Sequence, residues 1–176
     1  SKSSVSTGDV LVGLASPGLR CNGYSLARRV LLDGRPLDQP AWAGADSSLG
    51  EELLRPSVIY APAVLEVFSE LEVHAVAHIT GGGLPGNLVR IIGADVGIRL
   101  YPSKWRTPEI FGRIATEGPV SDGEMQKVFN LGIGMVLIVP ADQANKTIEI
   151  AARNGHEAWV IGDVMAGKGE VRWVNQ

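Results

Sequence analysis

Two segments of the chain place glycines beside short polar side chains in the order strand, loop, helix. The first runs from Ala15 to Gly23 and carries Ser16, Gly18, Arg20 and Asn22. The second runs from His78 to Asn87 and carries Thr80, Gly81, Gly82 and Gly83. A helix N-terminus offers unpaired N–H groups and a partial positive charge. Glycines let a phosphate come close to those groups. Each segment is therefore a candidate anion cradle. One such loop reads equally well as a tight turn; two of them, each with polar neighbours, favour binding. Ser16, Gly18, Arg20, Asn22, Thr80, Gly81, Gly82, Gly83 and Asn87 are the candidate substrate-binding residues.

Neither loop is a known nucleotide motif. Gly13 to Gly18 has the four-residue gap of a Walker A loop, but Leu19-Arg20 stands where Lys-Ser/Thr is required. Gly81-x-Gly83-x-x-Gly86 fits the dinucleotide fingerprint after a strand, yet the next strand ends in Tyr101-Pro102-Ser103 with no acidic residue. Pro85 also removes a donor from that loop.

His78 is the candidate catalytic residue, as a hydrogen-bonding or acid/base group at the mouth of the second loop. His74 lies four positions earlier, a span of about 13 Å on a strand and too far to share one ion with it. His74 reads as structural. There is no Cys–His cluster, so no metal site is expected. Cys21 reads as a small buried residue, and Asp46, Glu51 and Glu52 as surface charges. Trp42, Trp159 and the other tryptophans are scattered and form no stacking array for single-stranded nucleic acid.

These residues need a scaffold. Gly8 to Ala15 reads as a buried strand, Asn22 to Leu32 as a helix, and Asp33 to Ser48 as a long loop. A short helix at Leu49 to Leu54 is ended by Pro56. The next helix has Pro62 in its first turn and Leu65, Phe68 and Leu71 along an apolar face. Val73 to Ile79 is a strand, Gly86 to Ile92 a short helix and Val96 to Tyr101 a strand. Thr107-Pro108 opens a helix, and Ser121 to Glu124 matches a capping box for another through Phe129. Ile133 to Val139 is a strand apolar enough to be buried on both faces. A helix over Ala141 to Arg153 is stopped by Asn154-Gly155. Ala158 to Val164 and Val171 to Val174 read as a closing antiparallel pair around Gly167-Lys168-Gly169. The interleaving predicts one α/β (α+β) domain, a mixed sheet layered with helices.

Composition agrees. Of 176 residues, 45% are hydrophobic and 20% charged, which is globular and excludes disorder. A net charge of −3 argues against a broad nucleic-acid surface. The run Met135 to Val139 is far too short to span a membrane. A single cysteine excludes an internal disulfide and suits a reducing, cytoplasmic compartment. Glycine, at 22 residues, is enriched. Residues 1–7 read as a leader or cut end, and 8–176 as the single domain.

Four segments in order resemble one family. Gly13 to Arg28 is similar to the pattern G-L-x-S-S-G-x-H-S-N-G-(Y/F)-S-L-x-R, and Leu53 to Tyr60 to L-L-x-P-T-x-I-Y. His74 to Gly83 resembles H-A-x-A-H-I-T-G-G-G, and Glu124 to Met135 resembles E-M-x-x-x-F-N-x-G-x-G-M. The family is phosphoribosylformylglycinamidine cyclo-ligase, or aminoimidazole ribonucleotide (AIR) synthetase, of purine biosynthesis, and only its C-terminal domain is matched.

The resemblance implies a ligase that closes the imidazole ring with ATP and magnesium. The formyl oxygen of formylglycinamidine ribonucleotide is phosphorylated, and a ring-forming nitrogen then displaces phosphate. It implies an N-terminal half holding most of the ATP site and a homodimer contact, both absent from this chain. A fragment so cut is expected to be inactive alone and to bind neither ATP nor Mg2+ by itself. Membrane and nucleic-acid partners are not expected. Pro17, Arg20 and Cys21 depart from the family's Ser, His and Ser, within the expected substrate loop. An arginine there could grip a phosphate in bidentate fashion. Selenophosphate synthetase, thiamine monophosphate kinase and hydrogenase maturation proteins share the wider superfamily and are the alternative, as is a free-standing nucleotide-binding domain.

Overall fold

The computed structural model describes residues 4–174. The leader expected over residues 1–7 thus lies partly outside the described residues; within it, Val5 is buried in the core and the Ser6 N–H donates to Asp9 Oδ2 at 2.8 Å.

The most apolar run forms the strand that everything else is built on. Ile133–Val139 (β4) lies between Ala75–His78 (β2) and Val10–Ala15 (β1), antiparallel to both. On the other side of β1 lies Ala158–Ala166 (β5), then Val96–Leu100 (β3), then Val171–Trp173 (β6). The order is β2-β4-β1-β5-β3-β6, and the β3–β6 pair is parallel, so the sheet is mixed.

Alternate side chains of the central strands enter different cores. Leu11, Val136 and Ile138 pack on one face with Leu84 and Leu88 from helix α4 (Gly83–Leu88). Val12, Leu14, Leu137 and Val139 pack on the other with Val67 of α3 (Ala61–Glu70) and Ile150 of α7 (Ala144–Arg153). Helices therefore cover both faces, which is why β4 shows no polar alternation. A third cluster joins α1 (Tyr24–Leu31), α2 (Leu49–Leu53), α5 (Glu109–Glu117) and α6 (Asp122–Val128) through Leu31, Leu53, Phe111, Ile114 and Phe129. Among the described residues no helix is long and apolar enough to cross a membrane.

Several expectations are corrected. The last two strands do not pair with each other: β3 slots between them, and the turn crosses its end, with the Gly167 N–H on Asp95 O and the Gly169 N–H on Val96 O. Helix α3 buries Ala63 and Val67, while Leu65 and Phe68 are 67% and 52% exposed. Two apolar stripes run along this helix, and the smaller side chains let it sit closely on α7 and the sheet. Helix α4 starts at Gly83, three residues before the expected Gly86. Cys21 is exposed. Glu52 is buried, its carboxylate accepting from Ser47 Oγ and Arg55.

Candidate active site

Both glycine loops leave the same end of neighbouring strands. Strands β1 and β2 run antiparallel to the β4 between them and so end together. A bulge between Leu14 and Ala15, just before the last β1–β4 pair of Ala15 with Ile133, precedes the first loop. That loop is then pinned: the Ser16 N–H donates to Gly132 O at 2.7 Å and Asn130 Nδ2 to Gly18 O at 2.9 Å. Leu19 is buried beneath it. Gly23 begins α1 at a φ of +78°, and any Cβ there would lie 2.2 Å from the Phe129 ring.

The second loop is tied by its own side chains. Asn87 is buried; its amide donates to Gly83 O at 2.7 Å and Thr80 O at 3.3 Å, and the Thr80 hydroxyl donates to Asn87 Oδ1 at 3.2 Å. At Gly83, with φ +62°, a Cβ would lie 1.9 Å from Gln126 O. Glycine at 83 is thus required by the close approach of α6. Gly81 and Gly82 are exposed, and a Cβ on Gly81 would lie 3.5 Å from Asn22 Oδ1, so the two loops adjoin.

Arg20 joins them. Its backbone is left-handed, at φ +58°, and its side chain turns inward, leaving the residue 7% exposed. The guanidinium donates to Ile79 O and, at 3.4 Å, to Gly134 O, and its Nη1 lies 3.2 Å from His78 Nε2. Its Nε is buried with no hydrogen-bond partner. Arg20 is expected to contact a ligand phosphate or the partner domain; in the structure its head is engaged with the base of the second loop.

His78 ends β2 opposite Met135 and is exposed. It stands in a groove of about 470 Å³ with Tyr60, Val58, Ile59, Leu65 and Met135. Although the residue is exposed, partial desolvation of the ring holds its pKa below the ordinary imidazole value, and the Arg20 charge adds to this. Tyr60, its ring centroid 6.5 Å from that of His78, donates its hydroxyl to Ala15 O at 2.6 Å, and burial raises its pKa. The opposite edge of the Tyr60 environment is His156, 5.2 Å away between centroids. A second cleft of about 570 Å³ opens beside Ser16, between Trp42 and Trp159, with Arg55, Arg106 and His156 on its walls.

The structure therefore brings Ser16, Gly18, Arg20, Asn22, Thr80, Gly81, Gly82 and His78 to one end of the sheet. Gly83 and Asn87 support the second loop from behind. Sequence reasoning missed Tyr60 and Gly134. A Cβ on Gly134 would lie 2.0 Å from Tyr60 Oη and 2.8 Å from Arg20 Nη1, so only glycine admits both polar heads. Both residues sat in the matched motifs, but nothing local marked them as meeting. Among the described residues no three His, Cys, Asp or Glu side chains group to hold a metal ion.

The profile of the family described as "AIR synthase related protein, C-terminal domain" matches residues 6–175. A phosphoribosylformylglycinamidine cyclo-ligase of Symbiobacterium thermophilum is 47% identical over 169 residues, which cover 93% of this chain and 48% of that protein. One from an Anaeromyxobacter species is 44% identical over 167 residues, covering 94% and 48%. The chain thus spans about half the length of the curated relatives it matches. Among solved structures, a hydrogenase maturation protein HypE in complex with ATP overlays with a TM-score of 0.67 at 15% identity, covering 99% of this chain and 50% of that one, which is likeness of fold. The chain belongs to the AIR synthase related family, as a C-terminal domain of that family.

Proposed function

We propose that this chain is the substrate-side half of a cyclo-ligase that closes formylglycinamidine ribonucleotide to aminoimidazole ribonucleotide. The observation that carries the reading is the convergence of both glycine loops at His78, made through Arg20, beside an open groove. ATP, the magnesium ion and the phosphorylation step are assigned to the N-terminal half, since the loops here lack a Walker lysine. Within this chain, Asn22, Thr80 and the N–H groups of the exposed Gly81 and Gly82 hydrogen-bond the ribonucleotide. Gly18 and Ser16 shape the floor, and His78 meets the reacting amide end. The complete enzyme is a homodimer acting in the cytoplasm, without membrane or nucleic-acid partners.

The test is phosphate release from ATP in the presence of formylglycinamidine ribonucleotide. The 176-residue chain alone is expected to give none. The chain joined to a cyclo-ligase N-terminal half is expected to turn over, and His78→Ala in that assembly to lose activity. Substrate-dependent release by the chain alone would overturn the division of labour, and an inactive assembly would overturn the assigned reaction.

A further inference from the structure

Arg20 Nη1 and His78 Nε2 are 3.2 Å apart. A guanidinium has only donors and does not lose its proton. The lone pair in this contact must therefore come from Nε2. An imidazole whose Nε2 accepts carries its proton on Nδ1 when neutral. The arrangement is held from behind: Arg20 is 7% exposed, and its head is fixed on Ile79 O and Gly134 O in the space that the missing Cβ of Gly134 leaves.

We infer that Arg20 is a positioning residue that fixes His78 as the neutral Nδ1–H tautomer, so that His78 presents a hydrogen-bond donor, not a general base, to the groove. The ligand atom it takes is then an acceptor, a carbonyl-type oxygen or a phosphate oxygen. That second half rests on the proposed substrate reading; the tautomer does not.

The surroundings of His78 agree. From the first loop, only the Arg20 cation bonds the ring. From the start of α3 it faces Tyr60, a phenol that burial keeps protonated and whose hydroxyl is donated to Ala15 O. From β4 it faces Met135. Among the described residues no carboxylate pairs with His78 to favour an imidazolium, and His156 lies on Tyr60, not on it. Partial desolvation and the Arg20 charge both disfavour the charged ring. A donor in a largely apolar wall formed by Val58, Ile59 and Leu65 selects strongly for a ligand atom that accepts.

The test is two-dimensional 15N–1H spectroscopy of the histidine side chains, titrated over pH on the ligand-free chain. His78 is expected to show a protonated Nδ1 and an unprotonated Nε2, with a midpoint below the ordinary imidazole range. Arg20→Met is expected to release the ring to the other tautomer and move its midpoint upward. An Nε2–H ring or an imidazolium at neutral pH in the wild type overturns the proposal, as does an unchanged ring in Arg20→Met. If Arg20→Met does not fold, Arg20→Gln, which keeps a donor without the charge, is expected to raise the midpoint. An unmoved midpoint there overturns the proposal too. Formylglycinamidine ribonucleotide is then added: a shift of the Nδ1–H resonance supports the acceptor assignment. A correct tautomer that ignores this ligand sinks only the acceptor assignment and the substrate reading behind it.

Discussion

His74 Nδ1 lies 2.6 Å from Oδ2 of the buried Asp9, and this contact ties the residue before β2 to the residue before β1 across the end of β4. The hydrogen bond to Asp9 raises the His74 pKa above 6.5, with Glu72 adding to it and burial opposing. A raised folded pKa means stabilisation that is complete below the unfolded value and is lost as pH rises through the folded one. Asp9→Asn is therefore expected to cost about 2 kcal/mol at pH 6, the scale of a hydrogen bond to a charged group. The cost should shrink as pH rises past the His74 midpoint. Urea unfolding at a series of pH values checks this; a pH-independent loss would sink it. His78, whose pKa is lowered, works in the opposite sense: its contribution is present above the unfolded value and is lost as pH falls through the folded one.

The glycines of the second loop separate turn making from packing. Gly83→Ala puts a Cβ 1.9 Å from Gln126 O at a φ of +62°, so α4 must move off α6. A loss of about 2 kcal/mol or more is expected. Gly86→Ala, in the same helix with nothing within 4 Å, is expected to gain about 0.5–1 kcal/mol. Thermal unfolding of the pair checks the contrast, and equal effects would show that the α4–α6 approach is not what the glycine serves.

Cys21 is exposed on the first loop, between Arg20 and Asn22. Iodoacetamide is expected to alkylate it in the folded chain at a rate close to that of the unfolded one. With formylglycinamidine ribonucleotide at about ten times its Kd, protection of about tenfold is expected if the loop holds substrate. Alkylation followed by mass spectrometry reads the rate. Undiminished labelling at saturating ligand would remove this loop from the substrate site.

Much of the scaffold was legible because it is written locally. The run Ile133 to Val139 named the central strand by its lack of polar positions, and Asn154-Gly155 stopped α7, with Gly155 at φ +79°. What failed was information held by partners distant in sequence. Nothing in Ala158 to Val174 says that β3 will come between the last two strands. Ala63 and Val67 are buried instead of Leu65 because of how α3 meets α7, not because of their own apolarity. The site followed the same division. Both loops and His78 carried a signal in their spacing. That Arg20 would turn inward depended on Gly134, 114 residues away, leaving space for its head.

The apolar side chains left outside on α3 and just before it are where the N-terminal half of the proposed cyclo-ligase is expected to dock. Ile59, Leu65 and Phe68 are 78%, 67% and 52% exposed, and Ile59 and Leu65 line the groove that holds His78. Because curated relatives are about twice as long as this chain, the proposed occupant is the ATP-binding half, whose arrival would close the groove over His78. The double substitution Leu65→Glu with Phe68→Lys is expected to change the chain's own stability by no more than about 0.5 kcal/mol, since neither side chain is in the core. Burying one such side chain contributes about 1.5–3 kcal/mol, so losing even one of the two from the interface should weaken binding to a separately produced cyclo-ligase N-terminal half by at least about 10-fold. Titration calorimetry with wild type and variant reads the difference. Equal affinity with intact folding would place the interface elsewhere, and Leu54, 78% exposed beyond α2, would be the next side chain to change.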